Sequence, residues 1–138
     1  MQVQAYLMLN GRCDEALAFY KQAVGAEVGL LMRNKDAPPG SGCEGLDEVW
    51  QNKVMHCNFT VGQTQLMASD GMPGSPATTM SGCSLTIAPD SLEKGRQIFD
   101  ALADGGSVQM PFQQTFWAKG FGMLTDRFGV NWMVNFEQ

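Results

Sequence analysis

"TFWAKGFGMLTDRFGVNWMVN", residues 115–135, holds the chain's most regular strand pattern and its sharpest turn. Asp126 suits the first position of a turn, and Gly129 supplies the positive φ that the exit of such a turn requires. "LTDRFGVNW" therefore reads as a hairpin. Beyond it, Val130, Trp132, Val134 and Phe136 alternate with Asn131, Met133 and Asn135. Successive side chains of a strand point to opposite faces, so one face is apolar and takes Trp132 into packing, while the other carries amides and a methionine. Phe116, Trp117 and Phe121 precede the hairpin in a glycine-rich connection that no alternation explains. Two readings stand for them: a surface that stacks on a ligand, or a plug for the core.

Outward from this stretch, the chain states one order of elements twice. "VQAYLML" (3–9) reads as a strand, "RCDEALAFYKQAV" as a helix stopped by Gly25, and "AEVGLLMR" (26–33) as a returning strand. "VMHCNFTV" and "TQLMAS" form a hairpin about Gly62-Gln63. In the second half "GCSLTIA" (82–88) is a strand, and "SLEKGRQIFDALAD" is a helix with Asp90 and Glu93 spaced as a capping box. "SVQMPF", "GFGMLTD" and "VNWMVNF" supply three more strands. The expected organisation is a single domain over 1–138, with module one over about 1–69, a linker at 70–82 and module two over about 83–138. Residues 34–53 lack periodicity, and loops of that length are lids, binding loops or disordered segments. Trp50 favours an ordered one.

Composition narrows the function classes. The 138 residues are 44% apolar and carry a net charge of −5 with no run of Lys or Arg. Binding a phosphate backbone needs clustered cations, so neither nucleic acid nor an anionic membrane is expected as a partner. No stretch approaches the roughly 18 apolar residues of a membrane span. "MQVQAYLMLNGR" has neither the basic start nor the apolar run of a secretory signal. A cytoplasmic protein is expected, with Cys13, Cys43, Cys57 and Cys83 read as buried small hydrophobes in a reducing compartment.

"GSGCEG" (40–45) matches G-x-G-x-x-G, but no strand precedes it and no long helix follows, so it is a chance match to a dinucleotide fingerprint. His56 is the only histidine, which excludes His-rich metal sites. Alternation in "MHCNFTV" sets His56, Asn58 and Thr60 on one face, and Gln65, Met67 and Ser69 share a face of the next strand. A polar strand face is most simply solvated. With helices on the other side, however, these amides, His and Met outline a cavity of mixed polarity.

Taken together, "FY" at 19–20, "GAE" at 25–27, "LMASD" at 66–70 and "TFWAKGFGMLTDRFGVNWMVN" resemble the PhnB-like branch of the vicinal oxygen chelate superfamily. That superfamily includes glyoxalase I, bleomycin-resistance proteins and extradiol dioxygenases. The resemblance implies an α+β fold of two paired βαβββ modules forming a curved, cup-shaped mixed sheet, commonly as a homodimer. Metal-dependent members hold a divalent ion with one His or Glu from each of four strands. By strand position those places are Ala5, Gln65 or Met67, Cys83 and Met133, which are poor donors for a hard cation. No metal and no cofactor are expected. Relatives of this branch are also labelled demethylubiquinone methyltransferases, yet nothing in the chain builds a glycine-rich nucleotide pocket. The expected function is small-molecule binding, with Asn58, Met67, Cys83, Phe116, Trp117, Phe121, Met133 and Asn135 as ligand-binding residues. The rival is a lyase, isomerase or hydrolase that uses His56 as general base with Asp70 as its partner. A third reading is a ligand-free dimeric interaction module.

Overall fold

In the computed structural model, which describes residues 1–138, the hairpin of the quoted stretch is built around one carboxylate. Asp126 Oδ1 accepts from the backbone N–H groups of Phe128 (2.8 Å) and Val130 (3.0 Å), and Oδ2 accepts from the indole N–H of Trp132 at 2.9 Å. Asp126 and Trp132 are both buried. A single acidic side chain thus shapes the turn and anchors the largest ring of the strand that follows. Its three partners satisfy donors that burial would otherwise strand.

The chain divides into two compact units, Met1–Thr78 and Thr79–Gln138. The first runs β1 (Tyr6–Met8), α1 (Cys13–Val24), β2 (Glu27–Arg33), a 3-10 turn (Asn34–Asp36), α2 (Glu48–Gln51), β3 (Val54–Val61) and β4 (Thr64–Ser69). The second runs β5 (Leu85–Ile87), α3 (Leu92–Ala103), β6 (Ser107–Gln113), β7 (Gly120–Thr125) and β8 (Asn131–Phe136). Each contains one four-stranded sheet, in the orders β1-β4-β3-β2 and β5-β8-β7-β6. The opening strand of each unit pairs parallel to the last, and all other pairings are antiparallel. The expected α+β fold of two βαβββ modules is present.

Helix α1 buries Cys13, Ala16, Leu17 and Tyr20, and the ring of Tyr20 stacks on Phe59 of β3 at 5.9 Å. It ends at Gly25, whose left-handed φ of 69° lets its N–H reach back to Lys21. Its start has no side-chain cap from Arg12. Asp70, just after β4, takes that role by accepting from the Cys13 N–H at 2.7 Å. Helix α3 buries Gly95, Ile98, Phe99 and Leu102. Its cap corrects the sequence reading: Ser91 accepts from the Lys94 N–H at 3.1 Å, in place of a box between Asp90 and Glu93. The extended backbone of Ser91 puts its hydroxyl in reach, and two neighbouring cap-type residues cannot be told apart by composition. Against α3 lies β7, where a Cβ on Gly122 would stand 2.5 Å from the Phe99 ring and 2.9 Å from the Phe112 backbone. The glycine is what lets helix and strand approach.

The edges of both sheets are irregular. β1 and β5 are three residues long. β2 slips register between Val28 and Leu31, and β6 slips on either side of Met110, with Pro111 inside the strand. The long loop 34–53 is structured at both ends. Asp47 caps α2 by accepting from the Trp50 N–H at 2.9 Å, and buried Asn34 donates to the Trp50 carbonyl at 2.8 Å. No helix is long and apolar enough to cross a membrane.

Candidate functional site

Strand pairing sorts the candidate residues onto the face of each sheet away from its helix. In the first unit, Tyr6 pairs with Met67 and Met67 with Asn58, so one row crosses three strands. The neighbouring row holds Met8, paired with Ser69, and His56, paired with Met32. Tyr6 reaches over β4 to His56, and its hydroxyl lies 3.2 Å from Nδ1 with the rings tilted at 5.6 Å. That contact occupies one ring nitrogen, Nδ1. Leu7 and Leu9 are buried on the opposite side, so odd-numbered positions of β1 face the core. Tyr6 and Met8 therefore lie on the face away from the core, and Ala5, half-buried, precedes the strand.

Asn58 and Asp70 are committed to the backbone. Asn58 Oδ1 accepts from the Leu30 N–H at 3.0 Å, filling the irregularity in β2, and the lack of a Cβ on Gly29 leaves room for that oxygen. Asp70, 3% exposed, accepts from Cys13 N–H through Oδ1 and from Val54 N–H through Oδ2, each at 2.7 Å. The hydrogen bonds of Asp70 go to these amides and do not include His56. Sequence reasoning had no means of seeing this, because both donors are main-chain groups brought in by the fold.

In the second unit one row crosses all four strands: Thr86 pairs with Met133, Met133 with Met123, and Met123 with Met110. Above it lies a groove of about 520 Å³ lined by Ser84, Gln109, Met123, Thr125, Asn131 and Met133, with Cys83 at its edge. A chain of hydrogen bonds closes one end. Ser107 accepts from Gln109 (3.1 Å), Thr125 lies 3.4 Å from Gln109 Oε1 and donates to Asn131 at 2.8 Å, and Asn131 donates to the carbonyls of Met80 and Cys83. No charged side chain lines the groove. The structure brings Met133 and Cys83 into this groove, and it adds Met123, Thr125 and Gln109, which the sequence reading left out. Alternation in "GFGMLT" was the available signal for Met123 and Thr125, obscured by glycines on alternate positions.

At the other end of the same sheet face, Asn135 pairs with Phe121. Asn135 donates to Glu137 at 3.1 Å, while its Oδ1 is buried with no protein partner. Phe121 continues an aromatic run, with Trp117 edge-on at 5.1 Å and Phe116 edge-on to Trp117 at 4.8 Å. Phe116 is 97% exposed and Trp117 43%, so this half of the opening stretch is no core plug. In the other half, Val130, Trp132 and Val134 are buried in the core.

The donor chemistry does not suit the superfamily's metal. The first unit's face offers Tyr6, His56, Ser69 and thioethers, and the second offers Thr86, Ser84, amides and thioethers. Neutral hydroxyls, amides and methionine sulfur are poor ligands for a hard divalent cation. No group of three or more His, Cys, Asp or Glu side chains is placed to hold one. Of the cysteines, Cys13 and Cys57 are buried as expected, whereas Cys43 is half-buried and Cys83 is exposed.

Comparison with known proteins agrees with this architecture. Protein PA1353 of Pseudomonas aeruginosa has a solved structure that is 44% identical, with a TM-score of 0.86 over 100% of this chain and 98% of that one. Protein YjdN of Escherichia coli is 34% identical over 98% of this chain and 95% of its own length. A PhnB protein from Bacillus cereus is 26% identical, with a TM-score of 0.80 over 99% of each chain. Two βαβββ units with parallel closing strands make a fold of the glyoxalase/bleomycin-resistance type. More narrowly, the family model described as 3-demethylubiquinone-9 3-methyltransferase matches residues 1–135, and the chain belongs to that family.

Proposed function

We propose that this protein binds a neutral, partly apolar small molecule on the open sheet face of its second unit. The observation that carries the reading is the groove of about 520 Å³ over the methionine row, a volume in the range of small-molecule sites. Methionine side chains adapt to irregular apolar shapes, and the Thr125–Asn131 hydrogen bond, with Gln109 beside it, holds fixed dipoles that orient a polar substituent. Absence of charge from the lining argues against a phosphonate or another strong anion, which would call for convergent cations. Methyl transfer, named in the family's description, is not part of this reading, since a nucleotide-sized methyl donor has no glycine-rich cradle here. The exposed Phe116–Trp117–Phe121 run extends the apolar surface beyond the groove.

A thermal-shift screen of neutral aromatic and aliphatic compounds tests the proposal, because binding raises apparent stability by mass action. A hit should lose at least about tenfold in affinity on Met133→Lys or Met123→Glu, each of which sets a charge in the groove floor. A panel without hits, or hits indifferent to both substitutions, refutes it.

The Tyr6–His56 contact favours a second reading, an enzyme in which His56 is the general base and Tyr6 orients its ring. Any turnover found in the screen should vanish in His56→Gln and fall in Tyr6→Phe. A reaction that survives His56→Gln removes this reading. Assembly as a homodimer belongs to the same proposal on the strength of the resemblance, and sedimentation equilibrium tests it.

A further inference from the structure

Cys13 and Cys57 are 44 positions apart in sequence, yet their sulfurs stand 3.7 Å apart. Cys13 is the first residue of α1, and Cys57 lies mid-way along β3 on the face that the helix covers. Both are free and fully buried. We propose that Cys13 and Cys57 form a reversible thiol–disulfide couple, a modification site that ties the start of α1 to β3.

Geometry carries the proposal. A disulfide bond is about 2.05 Å long, so the sulfurs must close by roughly 1.7 Å. Rotation of the two cysteine side chains about their Cα–Cβ bonds can supply most of that movement while Asp70 keeps the Cys13 N–H in place. The remaining thiols are elsewhere: Cys43 packs on Met55 and Asn34, and Cys83 is exposed beside the second unit's groove. The contact between the two thiols holds Cys57 below its ordinary range against the opposing effect of burial. Cys13 is pushed up, first by that same contact and then by burial.

With a small disulfide such as oxidised glutathione as oxidant, the Cys57 thiolate attacks one oxidant sulfur and expels the first glutathione thiolate. Cys13 gives up its proton, attacks Cys57 in the mixed disulfide and expels the second. Two protein thiols are oxidised by two electrons, one oxidant disulfide is reduced to two thiols, and the two thiol protons end on the leaving groups. Because both sulfurs are buried, exchange proceeds through local opening of the helix start.

The test uses the full chain carrying Cys43→Ser and Cys83→Ser, equilibrated in glutathione buffers and quenched with acid. Intact mass should show the loss of two hydrogens, and peptide mapping should link residues 13 and 57. The bridge should survive in buffers at least roughly tenfold more reducing than those that open it in urea, because the folded chain holds the sulfurs together. Oxidised protein should gain about 5–10 °C in Tm, reversed by dithiothreitol. Two thiols still free in the oxidising buffers, glutathione adducts in place of a bridge, or equal opening in native and urea-unfolded protein would each overturn the proposal. Cys13→Ser and Cys57→Ser serve as controls that must show neither mass change nor Tm gain.

Discussion

Replacing Asp70 by alanine removes two short charge-assisted hydrogen bonds at once. The acceptors vanish from the Cys13 N–H, which opens α1, and from the Val54 N–H, which opens β3. Val54 is fully buried and Asp70 nearly so, so water does not readily replace either oxygen. A hydrogen bond to a charged group contributes about 1.5–3 kcal/mol, and an orphaned buried donor costs about 1–3 kcal/mol. Two such bonds give about 3–6 kcal/mol, and partial relaxation of the helix start brings the expected loss to about 4 kcal/mol. Against a total of about 5–15 kcal/mol for a typical domain, that is severe. Asp70→Asn keeps the shape and one accepting oxygen but turns an NH₂ group towards the other amide, so it should lose about 2 kcal/mol. Urea unfolding followed by far-UV circular dichroism measures both, with the slope checked for constancy. If Asp70→Ala costs under about 1 kcal/mol, or Asp70→Asn equals wild type, the carboxylate does not anchor the starts of α1 and β3.

Four further outcomes follow from the same geometry. Asp126→Asn and Trp132→Phe should each destabilise by about 1–3 kcal/mol, and the double variant should cost clearly less than their sum because the two share one hydrogen bond. Gly122→Ala should cost about 2–4 kcal/mol by driving a methyl into the Phe99 ring and Phe112 backbone, and a cost below about 1 kcal/mol in urea unfolding would contradict that contact. Ser91→Ala should cost about 1 kcal/mol, whereas Asp90→Ala should be nearly neutral; the reverse order would restore the box read from sequence. Glu44 is exposed, and its carboxyl is held below the ordinary value of 4.5, first by the Gly40 amide, then by its own amide and by those of Gly42 and Ser41. A depressed acid adds stability above its unfolded-state pKa and loses it as pH falls through the folded one. Amide exchange at residues 40–44 should therefore be slower in wild type than in Glu44→Gln at neutral pH, with the difference fading as pH falls below the ordinary carboxyl value of 4.5.

How far the sequence was legible depended on whether each signal was local. Around Cys57–Phe59 and Trp132–Val134 the strands alternate, and those faces came out as expected because one is packed and the other is not. β1 was harder: "VQAYLML" contains no charge, so nothing in it says which phase faces the helix. Pairing of Tyr6 with Met67 and burial of Leu7 settle that. The work of Asp70 and Asn58 was hidden for a related reason. Their partners are backbone amides distant in sequence, and such donors leave no side-chain signature. The cysteines show the limit most plainly, since a pair with 43 residues between its members has no spacing rule to announce it.

The irregular edges carry a consequence of their own. An unbroken outer strand displays a row of open amides and carbonyls to any extended segment it meets, and sheets grow by that route. Here the outermost strands are either three residues long or interrupted, and β6 contains Pro111, which has no N–H to offer. The protein can therefore leave Val28, Leu30, Val108 and Met110 exposed along those borders without offering a template for stacking. Tolerance of greasy borders without edge-to-edge growth is the benefit, and Pro111→Val is the substitution that would put it at risk.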